Sequence, residues 1–254
     1  MILNFNEAGT GQPLVLLHGL FGAARNLGVL TRALASSYRV IAMDLRNHGG
    51  SPHDQHMDYA LMAQDVADTL AQLGISKTRL CGHSMGGKTA MTLALTRPDM
   101  IDHLAVMDIA PVSYAHTHKD LALAMLRIPL TPQLTRADAE QALAQVVKEA
   151  PMRAFLLNNL VLGEQPHWRL GLHEISTAMP NLFRWDDPPE MSAYLGPVLF
   201  LCGAKSDYVT SAYEPTIKAR FPRAEVEYIA GAAHWLHADK PEIVVSALRE
   251  FFAS

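Results

Sequence analysis

Short apolar runs alternate with helical patterns along most of this chain, and this alternation restricts the possible folds more than any other feature. Each run ends in glycine or polar residues, as buried strands do. Strands that alternate with helices predict an α/β fold with a mostly parallel, twisted sheet and helices on both faces. The predicted strands are residues 14–17, 39–43, 78–81, 103–107, 198–201 and 225–229, with a further strand near 2–6. The predicted helices between them are residues 26–36, 59–73, 85–96, 212–220 and 241–252.

The alternation stops between residues 112 and 187, where helical patterns occur without a clear strand. Thr135 and Asp138 have the spacing of a capping box, and Pro151 suits a first helical turn. We interpret 112–187 as a helical cap inserted between two strands, so that 1–111 and 188–254 form the core domain. The helices predicted in this insertion are residues 119–127, 136–150, 152–162 and 168–178.

The composition is that of a globular protein, with 49% hydrophobic and 18% charged residues. A net charge of -4 without a basic cluster argues against nucleic-acid binding. No apolar stretch reaches the roughly 18 residues that cross a bilayer, so we expect no membrane partner. The N-terminus lacks a signal-peptide pattern, which predicts a cytoplasmic location. Cys81 and Cys202 lie in predicted buried strands and are expected to stay reduced.

The segment GHSMG, residues 82–86, joins a predicted strand to a predicted helix. Gly82 and Gly86 flank Ser84 at positions where side chains would collide in a sharp turn. At the carboxyl end of a parallel strand, such a turn exposes the serine at the edge where ligands bind. A plain glycine-rich turn is the alternative interpretation. The strand–turn–helix setting favours a nucleophile elbow, so Ser84 is the predicted nucleophile.

A serine nucleophile needs a base, an acid that orients the base, and amides that bind the oxyanion. His234 is the predicted base, because it is the first histidine after the last predicted strand. His237, three residues later, is its rival. The predicted oxyanion amides belong to Met85, next to the nucleophile, and to Leu20, in the segment HGLFG that follows strand 14–17.

Two aspartates compete for the role of the acid. Asp108 follows the predicted strand 103–107 and Asp207 follows the strand 198–201, and both keep the chain order serine, acid, histidine. Asp44 also follows a strand, but it precedes the serine and is predicted to hold the loop RNHGGSP. The strand pattern alone leaves Asp108 and Asp207 as alternatives.

Together these segments resemble the α/β-hydrolase superfamily, and the closer likeness is to the small bacterial esterases of the YbfF type. The matching segments are HGLFG (18–22), DLRNHGGSP (44–52), GHSMGGKTAM (82–91), MDIAPVSY (107–114) and GAAHWLHADKP (231–241). The resemblance implies a serine–aspartate–histidine hydrolase with a helical cap over the site. In the wider superfamily the acid usually stands three residues after the glycine that ends the later strand, a position held here by Ser206. In YbfF-type proteins the acid lies on the earlier strand, so the resemblance favours Asp108.

The resemblance also implies the kind of substrate. It suggests small-molecule carboxylic esters, and also acyl-CoA thioesters, cleaved through an acyl-enzyme intermediate on Ser84. No metal or organic cofactor is expected for this chemistry. The sequence makes no prediction of the oligomeric state.

Two other functions remain as alternatives on the same scaffold. A menaquinone-pathway type of lyase, or a C–C bond hydrolase, would keep the serine and the histidine. Arg127, Arg153 and Arg169 of the cap would then be candidates to bind a carboxylate or phosphate, although we interpret them as residues of solvated helix faces. A slow small-molecule receptor would keep the triad but show little turnover. Kinetics on esters separate these alternatives from an esterase.

Overall fold

The computed structural model describes residues 1–187 and 193–254, and its centre is a seven-stranded sheet. The strands of this sheet are β1 (Phe5–Ala8), β2 (Pro13–Leu17), β3 (Arg39–Met43), β4 (Thr78–His83), β5 (Ile101–Met107), β8 (Val198–Gly203) and β9 (Ala224–Ile229). A separate two-stranded ribbon consists of β6 (Leu160–Val161) and β7 (His167–Trp168). The order in the large sheet is β1-β3-β2-β4-β5-β8-β9. All its neighbours are parallel except β1, which pairs antiparallel with β3.

Helices connect the strands and also occur in the segment 112–187, which is predicted to be a cap. They are α1 (Gly28–Leu34), α2 (Tyr59–Gln72), α3 (Met85–Thr96), α4 (Lys119–Leu126), α5 (Arg136–Leu143), α6 (Ala150–Leu157), α7 (Leu172–Phe183), α8 (Glu214–Arg220), α9 (Leu236–Asp239) and α10 (Pro241–Ala253). None of these helices is long and apolar enough to cross a membrane, as far as the described residues extend.

The sheet is buried on both faces, which explains why its central strands are continuous apolar runs. In β2, Leu14 and Leu16 belong to the apolar layer that contains residues of α1 and α10. Val15 and Leu17 point to the other face and belong to the layer that contains residues of α2, α3 and the cap. The predicted α/β architecture is therefore confirmed. The six strands predicted with definite bounds all occur, with ends that differ by at most two residues.

The chain between β5 and β8 differs from its prediction in the bounds of its helices. Helices α4 to α7 lie there, but the helix predicted at 136–150 ends at Leu143, the helix predicted at 152–162 ends at Leu157, and the helix predicted at 168–178 begins at Leu172. The ribbon β6–β7 occupies the interval. Gly163, with a φ of +126°, and Pro166 interrupt any helix in this segment. The division into a core and a cap over 112–187 stays a prediction.

The fold places five chain segments at one edge of the sheet. Parallel strands present their carboxyl ends at the same edge, and ligands of such sheets bind there. The segments that leave β2, β4, β5, β8 and β9 begin at His18, Ser84, Asp108, Ala204 and Ala230. All five segments contain a residue that was a candidate for the site, and they lie beside one another because their strands are neighbours in the sheet.

Candidate active site

The turn at Ser84 has the strained geometry of a nucleophile elbow. Ser84 has φ 53° and ψ −119°, a combination of backbone angles that residues other than glycine rarely adopt. A side chain at Gly86 would place its Cβ 2.5 Å from the carbonyl oxygen of Leu17, and one at Gly82 would collide with the backbone of Gly86. Glycine is required at both positions because the elbow packs directly against its own strand and against β2.

A chain of hydrogen bonds links the predicted serine, histidine and Asp108. His234 Nε2 lies 3.1 Å from Ser84 Oγ, and His234 Nδ1 lies 2.7 Å from Asp108 Oδ2. Asp108 is completely buried and has a φ of 51°, a left-handed conformation that Asp and Asn tolerate better than other non-glycine residues. The structure thus brings Ser84, His234 and Asp108 together from three strand ends.

The surroundings of Asp108 separate it from its rival Asp207. The Oδ1 atom of Asp108 accepts a hydrogen bond from the Gly203 amide at 2.8 Å, and its Oδ2 atom accepts one from Ser206 Oγ at 2.5 Å. Asp207 is exposed and has no hydrogen bond to His234. Ser206 had no predicted function. Its position, where the superfamily usually places the acid, was the signal that pointed to it.

The loop that contains Leu20 is held by partners on the core and on the cap. Phe21 has a φ of 59°, and its amide donates to His48 Nε2 at 3.1 Å. The carbonyl of Phe21 accepts a hydrogen bond from Asn159 Nδ2 at 2.8 Å, and Asn159 lies between α6 and β6. The other predicted oxyanion donor, Met85, is the first residue of α3, where amides lack intrahelical acceptors.

Two buried histidines support this loop in their neutral form. His18 accepts a hydrogen bond from the Leu45 amide at Nε2 (3.0 Å) and donates from Nδ1 to the Gly19 carbonyl (2.8 Å). His48 likewise donates from Nδ1 to the Arg46 carbonyl at 2.8 Å. Burial lowers the pKa of both histidines, that of His48 to about 3. The second nitrogen of each ring therefore remains free of a proton and accepts a backbone N–H.

We expect the free energy of unfolding to fall as the pH is lowered from about 6.5 towards 4. Burial lowers the pKa of His48 to about 3 and that of His237 to about 4, whereas an unfolded histidine titrates near about 6.5. In this pH window each of these histidines is protonated in the unfolded chain but not in the folded chain. Each one therefore lowers the free energy of unfolding by up to about 1.4 kcal/mol per pH unit as the pH falls. Urea unfolding at several pH values measures the slope. His48→Gln should reduce the slope of unfolding free energy against pH by the amount that corresponds to about one proton. An unchanged slope would contradict the conclusion that His48 is buried in its neutral form.

Asp44 holds the loop RNHGGSP, as predicted. Its Oδ2 atom accepts hydrogen bonds from the Gly50 amide and from Asn4 Nδ2, both at 2.8 Å. Its Oδ1 atom accepts one from the Ala24 amide at 2.7 Å. Burial opposes the charge of Asp44, but these hydrogen bonds outweigh it and leave the pKa of the carboxyl below its usual value.

Aromatic rings surround the imidazole of His234. Tyr208 stacks on it with 4.0 Å between the ring centroids. His83 donates from Nε2 to the His234 carbonyl at 2.8 Å, and burial holds the pKa of His83 well below its usual value. His237, the rival base, packs 4.7 Å from the ring of His83, and neither His83 nor His237 replaces His234 beside Ser84.

Ser84 lies between two cavities, which we call the large cavity and the small cavity. The large cavity has a volume of about 260 Å³, and the small cavity has a volume of about 30 Å³. Both are lined by Leu20, Ser84, His118 and Tyr208. Apolar residues of the cap and of the loop after β9 extend only the large cavity: Leu121, Met152, Phe155 and Trp235. Residues of α2, α3, α7 and the loop after β5 extend only the small cavity: Tyr59, Met85, Lys88, Ile109, Tyr114, Leu182 and Phe183.

The cap arginines lie away from both cavities. Arg127 and Arg169 are exposed, and Arg153 forms an ion pair with Glu140 at 2.6 Å. The interpretation of these residues as parts of solvated faces fits Arg127 and Arg169, whereas Arg153 is partly buried by its partners. Across residues 1–187 and 193–254, no three histidine, cysteine, aspartate or glutamate side chains gather as ligands for a metal ion.

Comparison with known proteins identifies the family. The model of the alpha/beta hydrolase fold family matches residues 12–241. Esterase YbfF of Escherichia coli strain K12 is 41% identical over 241 residues, which cover 94% of this chain and 92% of that protein. The sn-1-specific diacylglycerol lipase ABHD11 of Xenopus laevis is 43% identical over 253 residues, which cover 96% and 80%.

The solved structures agree with the sequence relatives. The structure of a marine microorganism esterase matches with a TM-score of 0.95 and 35% identity, and the match covers 98% of this chain and 99% of that one. The family model and these relatives extend over nearly the whole chain. This chain therefore belongs to the alpha/beta hydrolase family, as the resemblance of its motifs predicted.

Proposed function

We propose that Ser84, His234 and Asp108 are the catalytic triad of this carboxylic ester hydrolase. The observation that carries the proposal is the unbroken path from Ser84 Oγ through His234 to Asp108 Oδ2, with distances of 3.1 and 2.7 Å. Ser84 Oγ attacks the ester carbonyl carbon while His234 Nε2 takes its proton. His234 then gives that proton to the departing alcohol. Water, activated by the same histidine, releases the acid from the acyl-enzyme.

Asp108 acts through the imidazole and not on the substrate. Its Oδ2 atom accepts the Nδ1–H of His234, which keeps the Nε2 lone pair directed at Ser84. The carboxylate also stabilises the imidazolium that forms when His234 takes the serine proton. The hydrogen bonds from Gly203 and Ser206 fix the carboxylate in this orientation. The triad is thus assembled on rigid strand ends.

The amides of Leu20 and Met85 are the proposed oxyanion donors. Met85 begins α3, so its N–H points out of the helix at the end that carries the positive dipole. Leu20 lies beside Ser84 in the lining of both cavities, in a loop anchored through Phe21. Negative charge develops on the carbonyl oxygen when Ser84 attacks, and two fixed N–H donors stabilise it without reorganisation.

The substrate proposed for this site is a small-molecule carboxylic ester. The apolar lining of the large cavity suits an aliphatic group on one side of the scissile bond. Relatives named as an esterase and as a diacylglycerol lipase support this class of substrate. Acyl-CoA thioesters present the same carbonyl carbon to Ser84 and are included in the proposal. The cap over 112–187 closes the site, because Leu121, Met152 and Phe155 line the large cavity.

A fluorophosphonate ester tests the nucleophile directly. Attack by Ser84 Oγ on phosphorus forms a P–O bond, breaks the P–F bond and releases fluoride, so the label stays on the serine. We expect complete loss of esterase activity at one label per chain, with the added mass on the peptide that contains Ser84. The Ser84→Ala protein should take up no label. Stoichiometric labelling of another residue, or full activity after labelling, would refute the assignment.

A further inference from the structure

A buried lysine lines the small cavity beside Ser84. Lys88 is 1% exposed and lies on α3, four residues after the serine. Its amide donates to the Ser84 carbonyl at 3.0 Å, so the two residues stand one helical turn apart. Side chains at this spacing lie on the same helix face, with about 5–6 Å between their Cβ atoms. Lys88 therefore reaches the cavity from the same side as the serine.

The ammonium of Lys88 has polar and aromatic neighbours but no counter-ion. Its Nζ donates to the Arg184 carbonyl at 3.1 Å and lies 4.9 Å from the ring centroid of Tyr114 and 5.4 Å from that of Tyr59. No carboxylate forms an ion pair with it in the part of the chain that the structure describes. An ammonium has three N–H donors, so the carbonyl uses one of them.

An uncompensated buried charge is costly, and proteins rarely retain one without a use. Burial lowers the pKa of Lys88 to about 7, so the charge is only partly kept at neutral pH. The hydroxyls of both neighbouring tyrosines already donate to carbonyls, Tyr59 to Leu182 and Tyr114 to Tyr208. Lys88 is therefore the group in the small cavity whose charge and remaining N–H donors an anion would pair with.

We propose that the small cavity binds the carboxylate of an acyl group, with Lys88 as its counter-ion, so that this enzyme prefers half-esters of short dicarboxylic acids. The proposal rests on the proposed function, because it assumes that Ser84 receives the acyl group. The acyl chain then extends from Ser84 along α3 into the small cavity, and the alcohol occupies the large cavity. The small cavity, at about 30 Å³, is about the size of one water molecule, so it can take the carboxylate itself only when a short acyl chain carries it there.

The preference for half-esters should depend on pH. Lys88 carries its charge below about 7 and loses it above, whereas the carboxylate of a half-ester is ionised above about pH 5. The other titratable groups that line the small cavity are His118, Tyr59, Tyr114 and Tyr208. Burial lowers the pKa of His118 to about 4 and raises those of the three tyrosines, that of Tyr208 to about 12. None of these groups changes charge between about pH 6 and 8, so Lys88 governs this window.

The test compares two esters of matched shape. They are methyl hydrogen glutarate and methyl 5-methylhexanoate, in which an isopropyl group replaces the carboxylate. The ratio of their kcat/KM values, followed by pH-stat and gas chromatography, cancels the contribution of His234. For the wild type we expect a ratio well above one at pH 6 that falls about tenfold per pH unit above pH 7. In Lys88→Met the ratio should fall about 30-fold or more at pH 6 and lose its pH dependence.

Controls separate failure of this inference from failure of the proposed function. Lys77→Met removes an exposed lysine that pairs with Asp102 at 3.2 Å, outside both cavities, and should leave the ratio unchanged. One outcome overturns the inference and leaves the proposed function standing. In that outcome Ser84 is needed for turnover of the neutral ester, but the ratio of kcat/KM values is near one or does not change in Lys88→Met. If neither ester is turned over, the carboxylate site is tested by calorimetry of glutarate binding to the Ser84→Ala protein at pH 6. Affinity that Lys88→Met weakens tenfold supports the carboxylate site, and no binding overturns it.

Discussion

Replacement of Ser84 by Ala is expected to lower kcat for p-nitrophenyl esters about 10⁶-fold while the protein stays folded. Without the hydroxyl no acyl-enzyme forms, and His234 has no serine proton to take. The side chain of Ser84 makes no capping bond to α3, so the hydrogen bond lost is the one to His234 at 3.1 Å. Absorbance assays of esters with increasing acyl length, together with thermal unfolding of both proteins, measure the two effects.

A second serine provides the matched control for this experiment. Ser36 lies on the surface after α1, where its Oγ donates to the Ala33 carbonyl at 3.3 Å. Ser36→Ala should retain wild-type activity. If Ser84→Ala retains a substantial part of the activity, the nucleophile lies elsewhere. If the folded wild type shows no turnover of any ester, a lyase or a slow receptor becomes the better explanation.

The core of the fold was predictable because its signal is local and repeated. The run Pro13–Leu17 is apolar on both alternating faces, and the two faces pack into different layers beneath α1 and α10 or beneath α2 and α3. That pattern occurs again in β4, β5 and β8. The exception is β1, an edge strand at Phe5–Ala8, which begins three residues later and ends two residues later than predicted. Its pattern is half-exposed, and an apolar run therefore locates it poorly.

The cap was less predictable because tertiary contacts decide where its helices end. The segment after α6 leaves the helix at Asn158, and the side chain of Asn159 turns back to bond Phe21 in the core. The residues that follow form the ribbon β6–β7 around Gly163. A helical pattern of apolar residues continues through this point in the sequence, so periodicity alone extends the helix too far.

Residues of the candidate site were predictable where their order in the chain and their position after a strand are enough to identify them. Ser84 and His234 were predicted in this way. Ser206 and Lys88 were not, since each acquires its place through distant partners. Ser206 meets Asp108 across 98 residues of chain, and Lys88 meets Arg184 across 96. A lysine on a helix is usually solvated, so its sequence pattern gives no sign that this one is buried.

Replacement of Asp108 by Asn is expected to lower kcat about 10⁴-fold. Asn has nearly the shape of Asp and tolerates the φ of 51° found here, so we expect the backbone to keep its course. Its amide nitrogen would donate to His234 Nδ1 where the carboxylate now accepts. That exchange moves the histidine proton to Nε2, which can then no longer take the proton of Ser84. The KM should change little, because Asp108 is buried behind the imidazole and touches no substrate.

Asp207→Asn is the matched control, and it also decides between the two aspartates. Asp207 is exposed and lies outside the hydrogen-bonded path, so its replacement should change kcat by less than about twofold. A large loss with Asp207→Asn and near-normal activity with Asp108→Asn would assign the acid to the later strand. The expected order is the reverse, because the orientation of His234 depends on the carboxylate that Gly203 and Ser206 hold in place. An acid that follows β5 and its supporting hydroxyl after β8 then orient the same base from the ends of two adjacent strands.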